Sequence, residues 1–344
     1  MKIALDATYS VGENLSGVGV YSRELLRALT ASHPGQKFVF CYRPHRFLRA
    51  FSAALPANAH RALLYEPLFP RARDLFHGLN QRLPAIRFRR TVTTFHDLFI
   101  LTGDYSTPDF RRRFAEQARR AAEASDAIIT VSEFTARQVV ELLGVERGRV
   151  HVVHHGADHV AVAEPARREN IVLTVGAIQR RKNIARLVEV FERTPPGWKL
   201  VLAGSQGYQA GEILARIEAS PRRADVQLLG YVSATELARW YARARIFAFP
   251  SLDEGFGMPV LEAMAAGVPV IAANRAALPE VCGDAALLLD PEDVAAIAAA
   301  LGQLMSDGSL AERLAVAGLE RARKFRWEKA AAETWKVYQS LAAS

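Results

Sequence analysis

Two carboxylates, Glu254 and Glu262, bracket the turn EGFGMP inside the stretch SLDEGFGMPVLEAMAAGVPVIA, residues 251–272. The turn holds Gly255 and Gly257 around Phe256, and a helix is expected to start near Pro259. Proline suits the first helical position because its missing N–H would be unpaired there anyway. Gly267 and Pro269 end the helix, and Val268 to Ala272 has the composition of the next buried strand. The pattern aims a helix N-terminus out of a glycine turn, with free backbone N–H groups and a favourable dipole for an anion. One carboxylate in a first helical turn is ordinary dipole chemistry. Two of them around an anion-seeking turn point to a ligand with both phosphate and hydroxyls, a phosphate-bearing sugar.

A second cluster supplies the opposite charge. In VGAIQRRKNI, residues 175–184, Arg180, Arg181 and Lys182 stand just before a helix expected from Asn183. Cations and a helix end converging in one loop are what a diphosphate requires. No Walker A pattern is present, so phosphoryl transfer on a P-loop is unsupported. No D-x-D occurs either, so the fixed cations are expected to do the work of a metal ion.

Near the start, Gly17 and Gly19 open a helix expected from about Val20, which is either a structural tight turn or a close approach of backbone to phosphate. A nicotinamide site fits poorly. The third glycine of that fingerprint is Ser22, and FVFCYR ends in Arg43 instead of an acid. His96 in TTFHDL falls at the carboxyl end of a strand-like run, either pinned for structural reasons or turned into a ligand cleft. Ser132 reads as an N-cap for a helix over 133–143. His151, His154, His155 and His159 crowd into nine residues. A strand would send His151 and His154 to opposite faces, and Asp158 is the only nearby carboxylate, so an inter-domain loop is preferred to a metal site.

The elements that carry these residues alternate along the whole chain. KIALDA, FVFCY, LLY, TVTTF, AIITV and VHVVHH are strand-like and are separated by amphipathic stretches such as 20–32 and 108–125. After residue 170 the pattern restarts with IVLTVG, KLVLAG, VQLLG and IFAFP. Such alternation predicts parallel sheets wrapped by helices. The restart, with EPARREN at 164–170, marks a domain boundary, and two doubly wound domains in series imply a cleft lined by the loops that follow strands.

Length and composition agree. A chain of 344 residues exceeds what one core usually supports, and half of it is apolar. Cys41 and Cys282 are too far apart in sequence for a disulfide framework or a CxxC site, consistent with a reducing compartment. No leader pattern and no membrane-spanning apolar run is seen, so a cytoplasmic protein is expected. Residues 1–150 hold 22 Lys and Arg against 14 Asp and Glu, which accounts for the whole net charge of +8. Clusters lie at Arg87, Arg89 and Arg90, at Arg111 to Arg113, and at Arg119 and Arg120. This face is either solvated or docks on an anionic membrane surface; nucleic acid is disfavoured because no binding module is recognisable.

With GVGVY, FHDL, TVSEFT, VVHHGAD, GAIQRRKN and EGFGMPVLE in view, nearly the full chain resembles retaining glycosyltransferases of family 4. Glu254 through Glu262 is similar to that family's E-x7-E motif. The resemblance implies a GT-B fold: two doubly wound Rossmann-like domains, residues 1–163 and 164–325, face each other across a cleft, with a helix at 326–344 packing back on the first. By the same resemblance, Glu254 holds donor-sugar hydroxyls and Glu262 the nucleotide ribose. Arg181 and Lys182 clasp the diphosphate, Gly17 and Gly19 line it, and His96 lies near the transferred sugar. Phe256, Gly257 and Met258 supply amides, and Tyr231 and Val232 neighbour the base. Ala177, where many members carry arginine, and His155, often asparagine, are departures.

The implied activity is a retaining, metal-independent hexosyltransferase without a cofactor. It uses a nucleotide sugar, GDP-mannose ahead of a UDP-hexose, and a glycan or lipid-linked oligosaccharide acceptor in polysaccharide biosynthesis. The acceptor is expected on the loops at about 43–90, and the protein at the inner face of the cell membrane if the basic face docks there. A UDP-dependent glucosyltransferase, a nonhydrolysing sugar-nucleotide epimerase and a non-catalytic nucleotide-sugar-binding protein are the alternatives.

Overall fold

Short apolar runs in this chain are too brief for helices and are buried on both faces, the condition for parallel strands covered by helices. The computed structural model describes residues 2–66, 69, 74–86, 88–160 and 167–343. Arg87, and residues 164–166 of the segment read as a boundary, lie outside the described residues. The chain divides into two compact units, Met1–Gly156 with Arg326–Ser344, and Ala157–Phe325. The break thus falls at 156/157 and not at 163/164. Its local cause is the bond from the Ala157 N–H to the Phe325 carbonyl, 3.0 Å, which closes the second unit's two ends on each other.

The first unit is a seven-stranded, all-parallel sheet. Its strands are β1 (Ile3–Asp6), β2 (Phe38–Tyr42), β3 (Ala59–Leu63), β4 (Leu75–Gly78), β5 (Thr91–Phe95), β6 (Ala127–Thr130) and β7 (Val150–Val152), in the order β3-β2-β1-β4-β5-β6-β7. The second unit holds β8 (Glu169–Val175), β9 (Lys199–Ala203), β10 (Val226–Gly230), β11 (Ala244–Phe249), β12 (Val270–Ala273) and β13 (Leu287–Leu289), ordered β10-β9-β8-β11-β12-β13. Each sheet therefore reverses its winding once, between β1 and β4 and between β8 and β11. In open α/β sheets the crevice at such a switch point is where ligands bind.

Two strands carry no clear sequence signal, and one is displaced from its apolar run. β4, LFHG, follows a Pro- and Arg-rich stretch and carries a histidine and a glycine, so it lacks the usual strand composition. β13 is only three residues long. The run LLY was expected as a strand, but β3 ends at Leu63 and Leu64 is buried just beyond it.

The helix Trp327–Ala343 packs inside the first unit, where Trp327, Ala330, Ala331 and Tyr338 join the core formed with Leu25 and Leu29 of the helix Gly17–Ser32. Among the described residues no single helix is long and apolar enough to cross a membrane. Gly156 is the tightest point of the Trp327 contact. A Cβ there would sit 2.3 Å from the Trp327 backbone nitrogen and 2.6 Å from its Cγ. Backbone cannot retreat as a flexible side chain can, so Gly156→Ala is expected to cost about 1–3 kcal/mol. The urea midpoint of the variant should fall; an unchanged midpoint would show that Trp327 can move aside.

Candidate functional site

The loops after β8 and β11, neighbours at the second unit's switch point, bring the cations and the first carboxylate together. After β8 a short 3-10 turn, Arg180–Lys182, leads to Asn183 in the left-handed region (φ 56°), and the helix Ile184–Phe191 follows. Asparagine is one of the few residues that tolerates that conformation, and its side chain donates to the Pro291 carbonyl at 2.7 Å. Arg180 stays exposed, whereas Arg181 and Lys182 turn inward. Glu254 Oε1 lies 2.5 Å from Lys182 Nζ and 2.9 Å from the Arg181 guanidinium. Arg181 also donates to the Asp253 carbonyl, and Lys182 Nζ stands 4.5 Å from the centroid of the Phe249 ring at the end of β11.

All three groups are nearly withdrawn from water, the side chains being 9–11% exposed. Burial alone would raise the Glu254 pKa, but the Arg181 and Lys182 charges and hydrogen bonds outweigh it and hold the carboxyl down at about 2. The close approach has a backbone cause. Gly204 (φ 158°) lies so near Gly176 that a Cβ there would fall 2.0 Å from the Gly176 carbonyl oxygen. Lys182 in turn lies over Gly176, 2.8 Å from where a Cβ would be.

The helix expected near Pro259 begins at Met258, with Gly257 ahead of it at φ 105° and no side-chain cap. Pro259 has no N–H, and Val260 and Leu261 donate to the Gly257 carbonyl at 2.9 and 3.4 Å, so the first turn offers an anion the Met258 N–H together with the positive end of the helix dipole. Phe256 is buried edge-on to Phe325, so its side chain is part of the core and only its backbone is available to a ligand. Glu262 has partners other than Glu254's cations. It accepts from Tyr241 Oη at 2.9 Å, and His159 Nε2 lies 3.2 Å from its other oxygen. Tyr231 and Val232 follow β10, the tyrosine 44% exposed and the valine half-buried.

In the first unit, Gly17 and Gly19 are inside the first helical turn and do not precede it. The helix starts at Gly17 because Ser16 caps it, its hydroxyl accepting from Gly19 N at 3.3 Å. Gly19 is also sterically required, since a Cβ would meet the Tyr9 carbonyl at 2.9 Å; at Gly17 the space is open. His96 directly follows β5 and is buried edge-on to Tyr21, 4.6 Å between centroids. Its Nε2 lies 2.9 Å from the Leu79 carbonyl oxygen, which can only accept, so Nε2 carries the proton and Nδ1 is the acceptor. Burial lowers the His96 pKa to about 4, against a smaller opposing effect of the Leu79 bond. Ser132 caps the helix Glu133–Leu143 as expected, accepting from Thr135 N.

Two models of known families match the chain: Glycosyltransferase Family 4 over residues 15–160, and Glycosyl transferases group 1 over residues 158–321. The O-antigen chain mannosyltransferase B of Escherichia coli is 31% identical, covering 99% of this chain and 100% of that one. The chain belongs to glycosyltransferase family 4. A D-inositol 3-phosphate glycosyltransferase of Nocardioides sp. is 29% identical over 94% of this chain and 72% of its own length. Sucrose-phosphate synthase from Thermosynechococcus elongatus superposes with a TM-score of 0.80 at 23% identity, each chain fully covered. The two doubly wound sheets of this glycosyltransferase are those of the GT-B fold.

Several neighbours of the site in this family 4 chain had no local signal. The sequence places His159 in a linking loop, yet it meets Glu262, 103 positions away. Tyr241 sits on an ordinary amphipathic helix, Ala234–Arg243. Below His96 runs a buried relay: Tyr338 Oη to His77 Nδ1 (2.5 Å), His77 Nε2 to Thr94 Oγ1 (2.8 Å), and Thr94 to Tyr21 Oη (2.9 Å). Burial, with a smaller contribution from His96, lowers the His77 pKa to about 3.

These shifts fix the sign of a pH dependence. His77 and His96 fall to about 3 and about 4 from an ordinary 6.5, and Glu254 to about 2 from 4.5. As pH falls, each group binds its proton in the unfolded chain before it does so in the folded one. Stability should therefore decline from about pH 6.5 downward through the two histidines, and more steeply below 4.5 through Glu254. Urea midpoints at pH 7.5, 6, 5 and 4 would show this; a flat profile down to pH 4.5 would contradict the histidine assignments.

Proposed function

We propose that the chain is a retaining, metal-independent hexosyltransferase that moves mannose from GDP-mannose onto a glycan or lipid-linked glycan. The observation that carries the reading is the convergence of Arg181 and Lys182 on one buried point at the β8/β11 switch. The choice of mannose rests on the full-length likeness to the O-antigen chain mannosyltransferase B, together with the HDL and RRKN forms in this sequence.

In such a transfer the bond from sugar C1 to the diphosphate oxygen breaks, and its electron pair leaves on that oxygen. The acceptor hydroxyl oxygen bonds to C1, and its proton passes to the leaving phosphate oxygen, so no protein base is obligatory. Negative charge grows on the diphosphate as the bond lengthens. Two cations and a helix N-terminus held in place before the reaction stabilise that charge without reorganising. Glu254 takes sugar hydroxyls once the diphosphate has relieved it of its counter-ions, and Glu262 takes the ribose hydroxyls. His96, neutral and with Nδ1 as acceptor, takes a hydroxyl of the transferred sugar. The site is cytoplasmic in this reading. Docking on an anionic membrane would use the basic face, where Arg111 and Arg112 are already paired with Asp104 and Asp109.

The direct test is transfer from GDP-mannose and from UDP-glucose in the presence of a metal chelator. Removing one preorganised donor is worth about 10²-fold or more in rate, so Lys182→Ala should lose about that much kcat while staying folded. Turnover near the parent rate would remove Lys182 from the mechanism.

Glu254→Gln separates a catalytic cradle from a structural ion cluster. It leaves Arg181 and Lys182 buried without their carboxylate, a loss on the order of 3–5 kcal/mol for a broken buried pair. Added GDP should raise the melting temperature of the variant more than that of the parent, because the diphosphate supplies the missing charge. An equal or smaller rise would mean that the cations serve only Glu254.

A further inference from the structure

Within the second unit, Glu262 is gripped on both oxygens. The Tyr241 hydroxyl donates to Oε2 at 2.9 Å and stands 3.3 Å from the Pro259 carbonyl, in the first turn of Glu262's own helix, Met258–Ala265. His159 Nε2, 3.2 Å from Oε1, faces a carboxylate oxygen that only accepts, so this nitrogen carries a proton. Tyr241 is buried, and burial together with the Glu262 charge pushes its pKa well above the ordinary phenol range. It is therefore a donor at neutral pH.

The helices that carry Tyr241 and Glu262 are themselves fastened at their ends. Arg168, just before β8, donates from one terminal nitrogen to the carbonyls of Tyr241 and Ala244, at 3.0 and 2.6 Å. Its other terminal nitrogen donates to those of Ala266 and Gly267, at 2.7 and 2.9 Å. These carbonyls lie at the ends of the helices Ala234–Arg243 and Met258–Ala265, where C=O groups lack helical partners and a cation suits both dipoles. One planar guanidinium thus sets the spacing of the two helix ends, and the Tyr241–Glu262 bond sets it again a turn further in.

The carboxylate so held keeps a defined remainder. A carboxylate offers about four lone-pair sites, two on each oxygen. Among the described residues Tyr241 takes one on Oε2 and His159 one on Oε1, so each oxygen keeps one. Two acceptors side by side in one plane match two hydroxyls on adjacent ring carbons, as on a ribose. The side chain is 13% exposed, so only an edge of it faces outward. Resting on the glycosyltransfer reading, in which Glu262 takes the donor's ribose, we propose that Tyr241 and His159 are positioning residues that set the Glu262 carboxylate for both ribose hydroxyls, and that the site thereby selects ribonucleotides over deoxyribonucleotides. A ligand without one hydroxyl leaves a buried acceptor unpaired, the origin of selectivity in such sites.

Calorimetric titration of the full chain with GDP and UDP, each beside its 2′-deoxy form, tests this. For the nucleotide that binds, the parent should prefer the ribose form about tenfold or more, the scale of one hydrogen bond to a charged group. Tyr241→Phe, which removes only the hydroxyl, should weaken the ribose form and leave the deoxy form as in the parent. His159→Ala should do the same, and His159→Gln, whose amide donates from the place of Nε2, should recover most of the preference. In turnover, Tyr241→Phe should raise the donor KM with little change in kcat, as loss of uniform binding does. A merely structural role would weaken both forms alike. If Tyr241→Phe folds poorly, the two His159 variants carry the test. The inference is overturned if Tyr241→Phe and His159→Ala keep the ribose preference, or if they lose both forms equally. Absence of GDP and UDP binding alike overturns the donor reading and this inference with it, whereas a parent that binds them and ignores the 2′-hydroxyl overturns this inference alone.

Discussion

One carboxylate shared by two cations, out of water, is the constraint around which the second unit is built. Glu254, Arg181 and Lys182 can meet only because β8 and β11 are neighbours and their following loops leave the sheet side by side. Burying three charges is costly unless each is paired, so the loop geometry has little latitude. Gly176 and Gly204 give the backbone the room it needs, and Asn183 turns the chain from the cations into the next helix. The Leu252 N–H to Arg181 carbonyl bond, 2.8 Å, stitches the two loops together along their backbones as well.

The same arrangement keeps two buried cations compatible with a folded loop. A pair of buried cations without a counter-ion would shift or unfold the loop, and the Glu254 carboxylate beside them supplies that charge. The first unit solves a different problem with neutral groups. His77, Thr94, Tyr21 and Tyr338 form a fully buried chain of hydrogen bonds in which neither imidazole nor phenol is ionised at neutral pH, and His96 stands against it with its tautomer set by the Leu79 carbonyl. The second unit thus buries fixed charge, and the first buries a fixed pattern of neutral donors and acceptors.

Much of this was legible in the chain, and the reason is locality. The parallel α/β class follows from alternation of short apolar runs with amphipathic ones, because both faces of each strand are covered. Gly257, Met258 and Pro259 announce a helix start, and the eight-residue spacing of Glu254 and Glu262 marks the turn as unusual, since all of these depend on neighbours in sequence. Strands that depart from composition were not legible. β4, with His77 and Gly78, is held by β1 and β5 on either side, a stabilisation that comes from the sheet and not from its own four residues.

The opening pair of acids shows the division most clearly. Their presence, their turn and the cations of RRKN were determined by the sequence alone. That Glu254 is locked by Arg181 and Lys182, while Glu262 belongs to Tyr241 and His159, was decided by strand order. So was the Tyr338 hydroxyl on His77, 261 positions away. Backbone conformation and helix starts are set by forces that act over a few residues. Which side chains share a buried space depends on which strands lie next to each other, and that is a property of the folded sheet.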